Sequence, residues 1–235
     1  MHTVQQLKSE IVSACKILSK QKLVEGFGHV SARIPDSDRF LLTPRISLAL
    51  VKEEDLLTLN LAGEVVGGNY PAPFESWLHV AIMKSQPRVG AITRIHARVA
   101  NIFSVTDRRL EPVHNHGSFF VGGVPVFTKP DLVSSEVLGS AVSRALGDKP
   151  AILLRGNGQV TVGRTVPEAV MMAIYLEEAA EILFGALQIG TPIPLTLGES
   201  KQRQIEALPP IDLVRAWDFL KTGSRKNDGC GPREK

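Results

Sequence analysis

The segment AILLRGNGQVTVG (151–163) decides how this chain folds. Four apolar residues, Ala151 to Leu154, run into a Gly156-Asn157-Gly158 turn, and a second strand-like stretch follows at once. A Gly-Asn-Gly turn between two such runs is a β-hairpin signal, because glycine supplies the backbone angles that tight turns need. A hairpin pairs its strands antiparallel, so the sheet that contains it is not purely parallel. Other short strands are closely spaced along the chain and alternate with helices. The expectation is an α/β fold: a mixed, largely antiparallel central sheet covered by helices.

Outward from the hairpin, Thr165, Pro167 and Glu168 have the spacing of a helix start. Met172, Tyr175, Leu176, Ala179 and Leu183 then form that helix's buried face. Upstream, Pro73 is read as starting a helix at Phe74. Phe74, Trp77, Leu78, Ala81 and Ile82 recur at i, i+3, i+4, i+7 and i+8, and Pro87 stops it. VGAITRIH (89–96) follows as a buried strand, and VANIFSV (99–105) as a helix. Leu7, Ile11, Ala14 and Leu18 place a helix over 4–20. GFGHVSARIP (26–35), FLLTP (40–44) and LLTLNL (56–61) carry strands, and GEVVGG (63–68) a turn and a short strand. PVHNHGSFF (112–120) and VPVFTK (124–129) read as extended chain, and 134–146 as a helix ended by Gly147. One last helical stretch covers about 199–221. The expected domain is 1–221, with 222–235 a disordered basic tail.

The chain has 235 residues, 43% hydrophobic and 22% charged, which excludes a wholly disordered or fibrous protein. Its net charge is +3, and the last fourteen residues hold four basic and two acidic side chains, leaving residues 1–221 at +1. No dense basic face for nucleic acid is expected from that balance. Cys15 and Cys230 are too few for a disulfide framework, which fits a reducing compartment. No apolar run approaches the roughly 18–20 residues that span a bilayer, and MHTVQQLKSEIVSACK (1–16) lacks a signal-peptide apolar region. The reading is a cytoplasmic protein with no membrane partner.

The chemistry must come from histidines and their neighbours. Glu75 and His79 are i and i+4 on one helix. They are either a polar surface pair or a pair in which Glu75 faces a site. His96 ends the buried strand, and in an extended chain Arg98 shares its face. His114 and His116 also share a face if PVHNH is extended, and two such imidazoles can ligate one divalent metal. There is no HExxH, cysteine cluster, phosphate-binding glycine loop or Gly-x-Ser-x-Gly elbow.

Taken together, GFGHVSARIP, FLLTP, EDLLTLNLAGEVV (54–66), PFESWLHVAIMKSQPRVGAITRIHA (73–97) and AILLRGNGQVTVGRTVPEAVMMAIYLEEAAE (151–181) resemble the class II aldolase/adducin family. The resemblance covers about residues 5–190. It implies a single αβα-layered domain, assembled as a homotetramer with active sites between subunits. It also implies a divalent metal held by three His, two from an H-x-H at a strand end and one from an H-G turn, beside an acid/base Glu. The Glu matches Glu75 and the first His matches His96. Arg98 then stands at the second His position and Asn157 at the third. Arginine has no lone pair for a cation, and an amide oxygen is a weak donor. Two outcomes follow: no metal, with Arg98 holding a substrate carboxylate, or a Zn, Mn or Fe site rebuilt from His96, His114 and His116.

The phosphate-binding elements of the sugar-phosphate aldolases are replaced by GHVS with His29, TPRIS with Arg45 and PAPFE with Phe74. The resemblance is therefore closer to a branch of decarboxylases acting on hydroxylated aromatic or ring-cleavage dicarboxylates, where His114 has a counterpart. The implied activity is a carbon–carbon lyase: decarboxylation or retro-aldol cleavage of a small carboxylated hydroxy compound through an enolate. Glu75, His96 and His114 are the candidate catalytic residues, with His29, Arg45, Arg98 and Asn157 binding substrate. The alternative is a non-catalytic binding module, as in the adducin branch.

Overall fold

The computed structural model describes residues 3–206 and 210–223. Eight strands form one sheet: β1 (His29–Arg33), β2 (Arg39–Leu42), β3 (Leu57–Asn60), β4 (Val65–Gly67), β5 (Ala91–Ile95), β6 (Val126–Phe127), β7 (Ala151–Leu154) and β8 (Gln159–Gly163). Their spatial order is β4-β3-β2-β1-β5-β8-β7-β6. Every pairing is antiparallel except the parallel β6–β7 edge. The expected mixed sheet, antiparallel in the main and enclosed by helices, is what the chain forms.

Successive strand residues face opposite sides, and the apolar core divides accordingly. On one side, Val30, Ala32, Leu41, Ala91, Ile95 and Leu153 pack with α1 (Val4–Lys20), α3 (Arg98–Ser104) and α5 (Val166–Ile189). On the other, Phe40, Leu57, Leu59, Ile92, Ile152 and Val160 pack beneath α2 (Ser76–Ser85) and α4 (Glu136–Leu146). The α1 helix begins where its capping box, Thr3 with Gln6, satisfies the first free N–H groups. Thr165 caps α5 in the expected place. None of the helices, among the described residues, is long and apolar enough to cross a membrane.

Three local expectations change. The helix after Pro73 starts at Ser76, with Glu75 at its N-cap and Phe74 outside it, 62% exposed. PVHNHGSFF is not a strand: its backbone bends and closes a 3-10 turn over His116–Phe120. The last stretch is two helices, α6 (Leu197–Glu206) and α7 (Pro210–Gly223), whose junction at 207–209 lies outside the described residues. The expected tail beyond Gly223, with Cys230, also lies outside them, while Cys15 is a buried free thiol.

The β7–β8 turn is held tightly against the end of β5. Gly158 has φ +77°, and a Cβ there would come within 2.1 Å of the Ile95 carbonyl oxygen. Only glycine meets both conditions. The turn is also fastened from α3: Asn101 Oδ1 accepts from Gly158 N at 3.0 Å, and Ser104 Oγ accepts from Gly156 N at 2.9 Å. Asn157, between the two glycines, is thereby set beside the residue that follows β5, His96.

Candidate active site

The first residue of β1, the end of β5 and the β7–β8 turn meet at one end of the sheet, on the α2 side. His29 pairs in register with Arg94. Arg94 extends from β5 beneath the N-terminus of α2, where it is 1% exposed. An unpaired guanidinium so deep would be prohibitively costly. Glu75, 5% exposed at the N-cap of α2, answers it with Oε2 2.9 Å from Arg94 Nε. The approach is that of an ion pair and not of an aligned hydrogen bond, since Nε has no partner of hydrogen-bonding geometry. Burial pulls the Arg94 pKa down and Glu75 opposes the shift. Arginine's intrinsic basicity keeps it charged.

Around this pair the other groups interlock. Arg94 Nη1 lies 2.9 Å from His96 Nδ1 and also touches Nε2. His96 Nε2 lies 3.2 Å from Asn157 Oδ1, and Asn157 Nδ2 donates to Glu75 Oε1 at 3.4 Å. Two acceptors flank the ring, Asn157 Oδ1 at Nε2 and the Phe27 carbonyl oxygen 3.4 Å from Nδ1, and Arg94 Nη1 donates to whichever nitrogen lacks the proton. Burial and then Arg94 hold the His96 pKa below the ordinary histidine value, so the ring is neutral at pH 7. The cleft above these residues measures about 540 Å³ and is also lined by Phe27, Arg45, Phe74 and Leu132. Arg45 sits 4.4 Å over the Phe74 ring, a cation–π contact on the cleft wall.

Beneath the cleft lies a second, deeper polar group. His79 is fully buried, and its Nδ1 meets Ser31 Oγ at 2.8 Å. The His29 and His79 rings are 5.7 Å apart. Burial, then the neighbouring cation Arg94, pushes His79 down to about 3. Burial foremost, with His79 and Arg94, lowers His29 well below its usual range. The expected Glu75–His79 helix pair is therefore not formed: Glu75 precedes the helix and pairs with Arg94, and His79 turns into the core.

The structure thus gathers Glu75, His96, His29, Arg45 and Asn157 at one cleft. Arg98 is placed elsewhere. The chain leaves the sheet after Ile95, and α3 begins at Arg98, its N–H groups at Val99 and Ala100 donating to the Glu177 carboxylate at 2.8 and 2.7 Å. Strand alternation therefore fails at Arg98, whose side chain is 79% exposed and pairs with Glu25. The two strand-end residues that share a face are Arg94 and His96. Sequence reasoning missed Arg94; the signal that could have found it is a charge inside the apolar run AITRI, where burial demands a carboxylate partner.

His114 and His116 do not line the cleft either, so the expected trio with His96 is not assembled. They meet Glu178 of α5 instead, and one ligand atom from each of the three lies within 4.8 Å of the others, an arrangement able to hold a metal ion. Glu178 carried no sequence signal beyond its place one turn after the core residue Tyr175.

The class II aldolase and adducin N-terminal domain family matches residues 9–184. The chain belongs to this family. A 3,4-dihydroxyphthalate decarboxylase from Rhodococcus jostii is 28% identical over 198 residues, 77% of this chain and 80% of its own length. Rat beta-adducin is 29% identical over 225 residues, 88% of this chain but 31% of its own. In structure, an L-fuculose 1-phosphate aldolase from Glaciozyma antarctica superposes with a TM-score of 0.83 at 24% identity, covering 96% of this chain and 92% of that one, a likeness of fold.

The divalent metal that the family fold implies does not fit the residues of this cleft. The neutral His96 ring has one lone pair, and the Arg94 guanidinium lies against both of its nitrogens, with Asn157 and the Phe27 carbonyl on the N–H side, so no lone pair is free for a cation. The only carboxylate lining the cleft among the described residues, Glu75, is committed to Arg94. A fixed positive charge occupies the ground a cation would need.

Removing one partner of the buried pair should be far costlier than removing the exposed one. Arg94→Met should destabilise the fold by about 3–5 kcal/mol, because Glu75 is left buried and uncompensated. Arg98→Ala should cost less than about 1 kcal/mol. Urea denaturation of the two variants checks both, and equal effects would refute this placement of the charges.

Proposed function

We propose that the cleft cleaves a carbon–carbon bond of a small hydroxylated carboxylate, decarboxylation of an aromatic or ring-cleavage dicarboxylate being the best-supported case. The observation that carries this reading is the buried Arg94 guanidinium at the cleft floor, held by Glu75 and with a neutral His96 beside it. Decarboxylation breaks the bond to the departing CO2 and leaves its electron pair on carbon. That pair must delocalise onto an adjacent oxygen as an enolate. Preorganised donors aimed at such an oxygen are the main means of lowering the barrier. Arg94 supplies full positive charge there, and the neutral His96 beside it adds no competing charge. The enolate then collapses with uptake of one proton at carbon from solvent entering the cleft, while Glu75 stays the carboxylate partner of Arg94. Arg45 meets the substrate's remaining carboxylate, and Phe27 and Phe74 flank a flat ring.

Support comes from the similarity to 3,4-dihydroxyphthalate decarboxylase over 77% of the chain. The test is CO2 release and product analysis with 3,4-dihydroxyphthalate and related hydroxylated dicarboxylates. Arg94→Lys keeps a charge but loses the planar donor set, and should lower kcat by about 10- to 100-fold with folding intact. Arg45→Ala should raise KM by about tenfold with a smaller effect on kcat. Turnover unaffected by Arg94→Lys would overturn the role given to the guanidinium.

A second reading, a binding module without catalysis, is favoured by the misfit of the cleft to a metal together with the similarity to beta-adducin. Binding of hydroxylated dicarboxylates in the cleft with no turnover of any would decide for it.

Either reading takes the working unit as a homo-oligomer, a tetramer by the family resemblance, because Phe27 and Phe74 on the cleft wall are 79% and 62% exposed. Light scattering should give about four times the chain mass of 25.5 kDa. A monomer at micromolar concentration would refute it.

A further inference from the structure

The His114–His116–Glu178 cluster lies outside the cleft, and nothing in the proposed chemistry uses it. His114 stands just before the 3-10 turn and His116 at its start, while Glu178 projects from α5. His116 Nδ1 is 2.8 Å from Glu178 Oε2, and His114 Nε2 is 3.6 Å from Glu178 Oε1. The two imidazoles meet edge to face, with centroids 5.8 Å apart. His116 is held in its plane by stacking on Tyr175 at 4.1 Å. Gly117 leaves the room that His114 occupies: a Cβ there would be 3.1 Å from His114 Nδ1.

The His116–Glu178 contact is satisfied as it stands, but His114 is not. Both of its ring nitrogens are buried atoms with no hydrogen-bond partner among the described residues. Leaving a polar group so placed costs roughly 1–3 kcal/mol, and its nearest polar neighbour is a carboxylate already engaged by a second imidazole. Two imidazoles and one carboxylate converging in this way form a donor set for a zinc-class cation, and a poor one for calcium or magnesium, which take oxygen ligands. Tetrahedral zinc with donors at about 2.0–2.1 Å sets them about 3.3 Å apart. One ligand atom from each of the three lies within 4.8 Å of the others, so side-chain rotations alone would bring them to that spacing.

We infer that His114, His116 and Glu178 form a binding site for a divalent transition cation of the zinc class, separate from the Arg94–His96 cleft. Three protein ligands leave a fourth position for water. The ion would tie the 112–120 segment to α5 and give His114 the partner it lacks. The inference does not rest on the proposed reaction, since none of the three residues lines the cleft.

The test uses the intact chain, stripped with a chelator, dialysed and titrated with zinc chloride alone. One equivalent should bind, and zinc should raise the melting temperature. Cobalt in its place should show the intense visible bands of four-coordinate Co²⁺. The near-isosteric Glu178→Gln should weaken binding by about 100-fold or more and abolish the melting shift, with circular dichroism confirming the fold. His114→Ala should do the same, and Asn157→Ala, in the cleft, should leave binding unchanged. Absence of a stoichiometric site, or zinc binding retained in folded Glu178→Gln, would overturn the inference. So would binding that His96→Ala abolishes and His114→Ala does not.

Discussion

A guanidinium buried in a protein interior dictates what surrounds it, because an uncompensated charge there costs more than most single contacts return. Arg94 imposes that condition on the whole end of the sheet. Glu75 must arrive at 2.9 Å, which fixes where α2 can start. Asn157 must reach both Glu75 and His96, which fixes the β7–β8 turn. The turn, in turn, is clasped by Asn101 and Ser104 of α3. One charge on β5 thus coordinates two helices, two strands and a turn that are distant in sequence.

The two faces of the sheet divide the work. The face under α1, α3 and α5 is a continuous apolar core, with Thr93 paired to Thr161 and Glu177 to the first N–H groups of α3. Burial raises the Glu177 pKa, and those backbone N–H groups act against it by favouring the ionised form. The α2 face gives up apolar packing along a seam of Ser31, His29, His79 and Arg94. The rigid face holds the seam's backbone in register, which is how a polar cluster can persist inside an otherwise apolar layer.

Periodicity made the fold legible. The hairpin at 151–163, the helix at 4–20 and the capped start of α5 could be read because local pattern and tertiary packing agree there. Disagreement arose where a tertiary interaction overrode the pattern. Phe74 has helical spacing with Trp77 and Leu78, but Pro73 and the pull of Arg94 on Glu75 delay the helix to Ser76. Arg98 has strand spacing with His96, but the strand has ended and Glu177 has already capped α3. His114 and His116 have strand spacing too, yet a bend and a 3-10 turn bring them together, with Glu178 supplied by a helix about sixty residues later. Glu75, His96 and Asn157 were legible as a set through the family pattern. Their organiser, Arg94, was concealed among apolar neighbours.

The seam also makes the fold resist taking up protons. His79 in the folded chain takes up a proton near pH 3, and His29 well below its ordinary value, whereas both bind one near 6.5 once exposed. Between those limits the unfolded chain holds more protons than the folded one, so stability is full above about pH 6.5 and drains away as the medium acidifies. Each imidazole contributes about 1.4 kcal/mol per pH unit in that window. A fold that keeps neutral histidines next to a permanent cation is bound to a near-neutral surrounding by its own interior, whatever its surface charge.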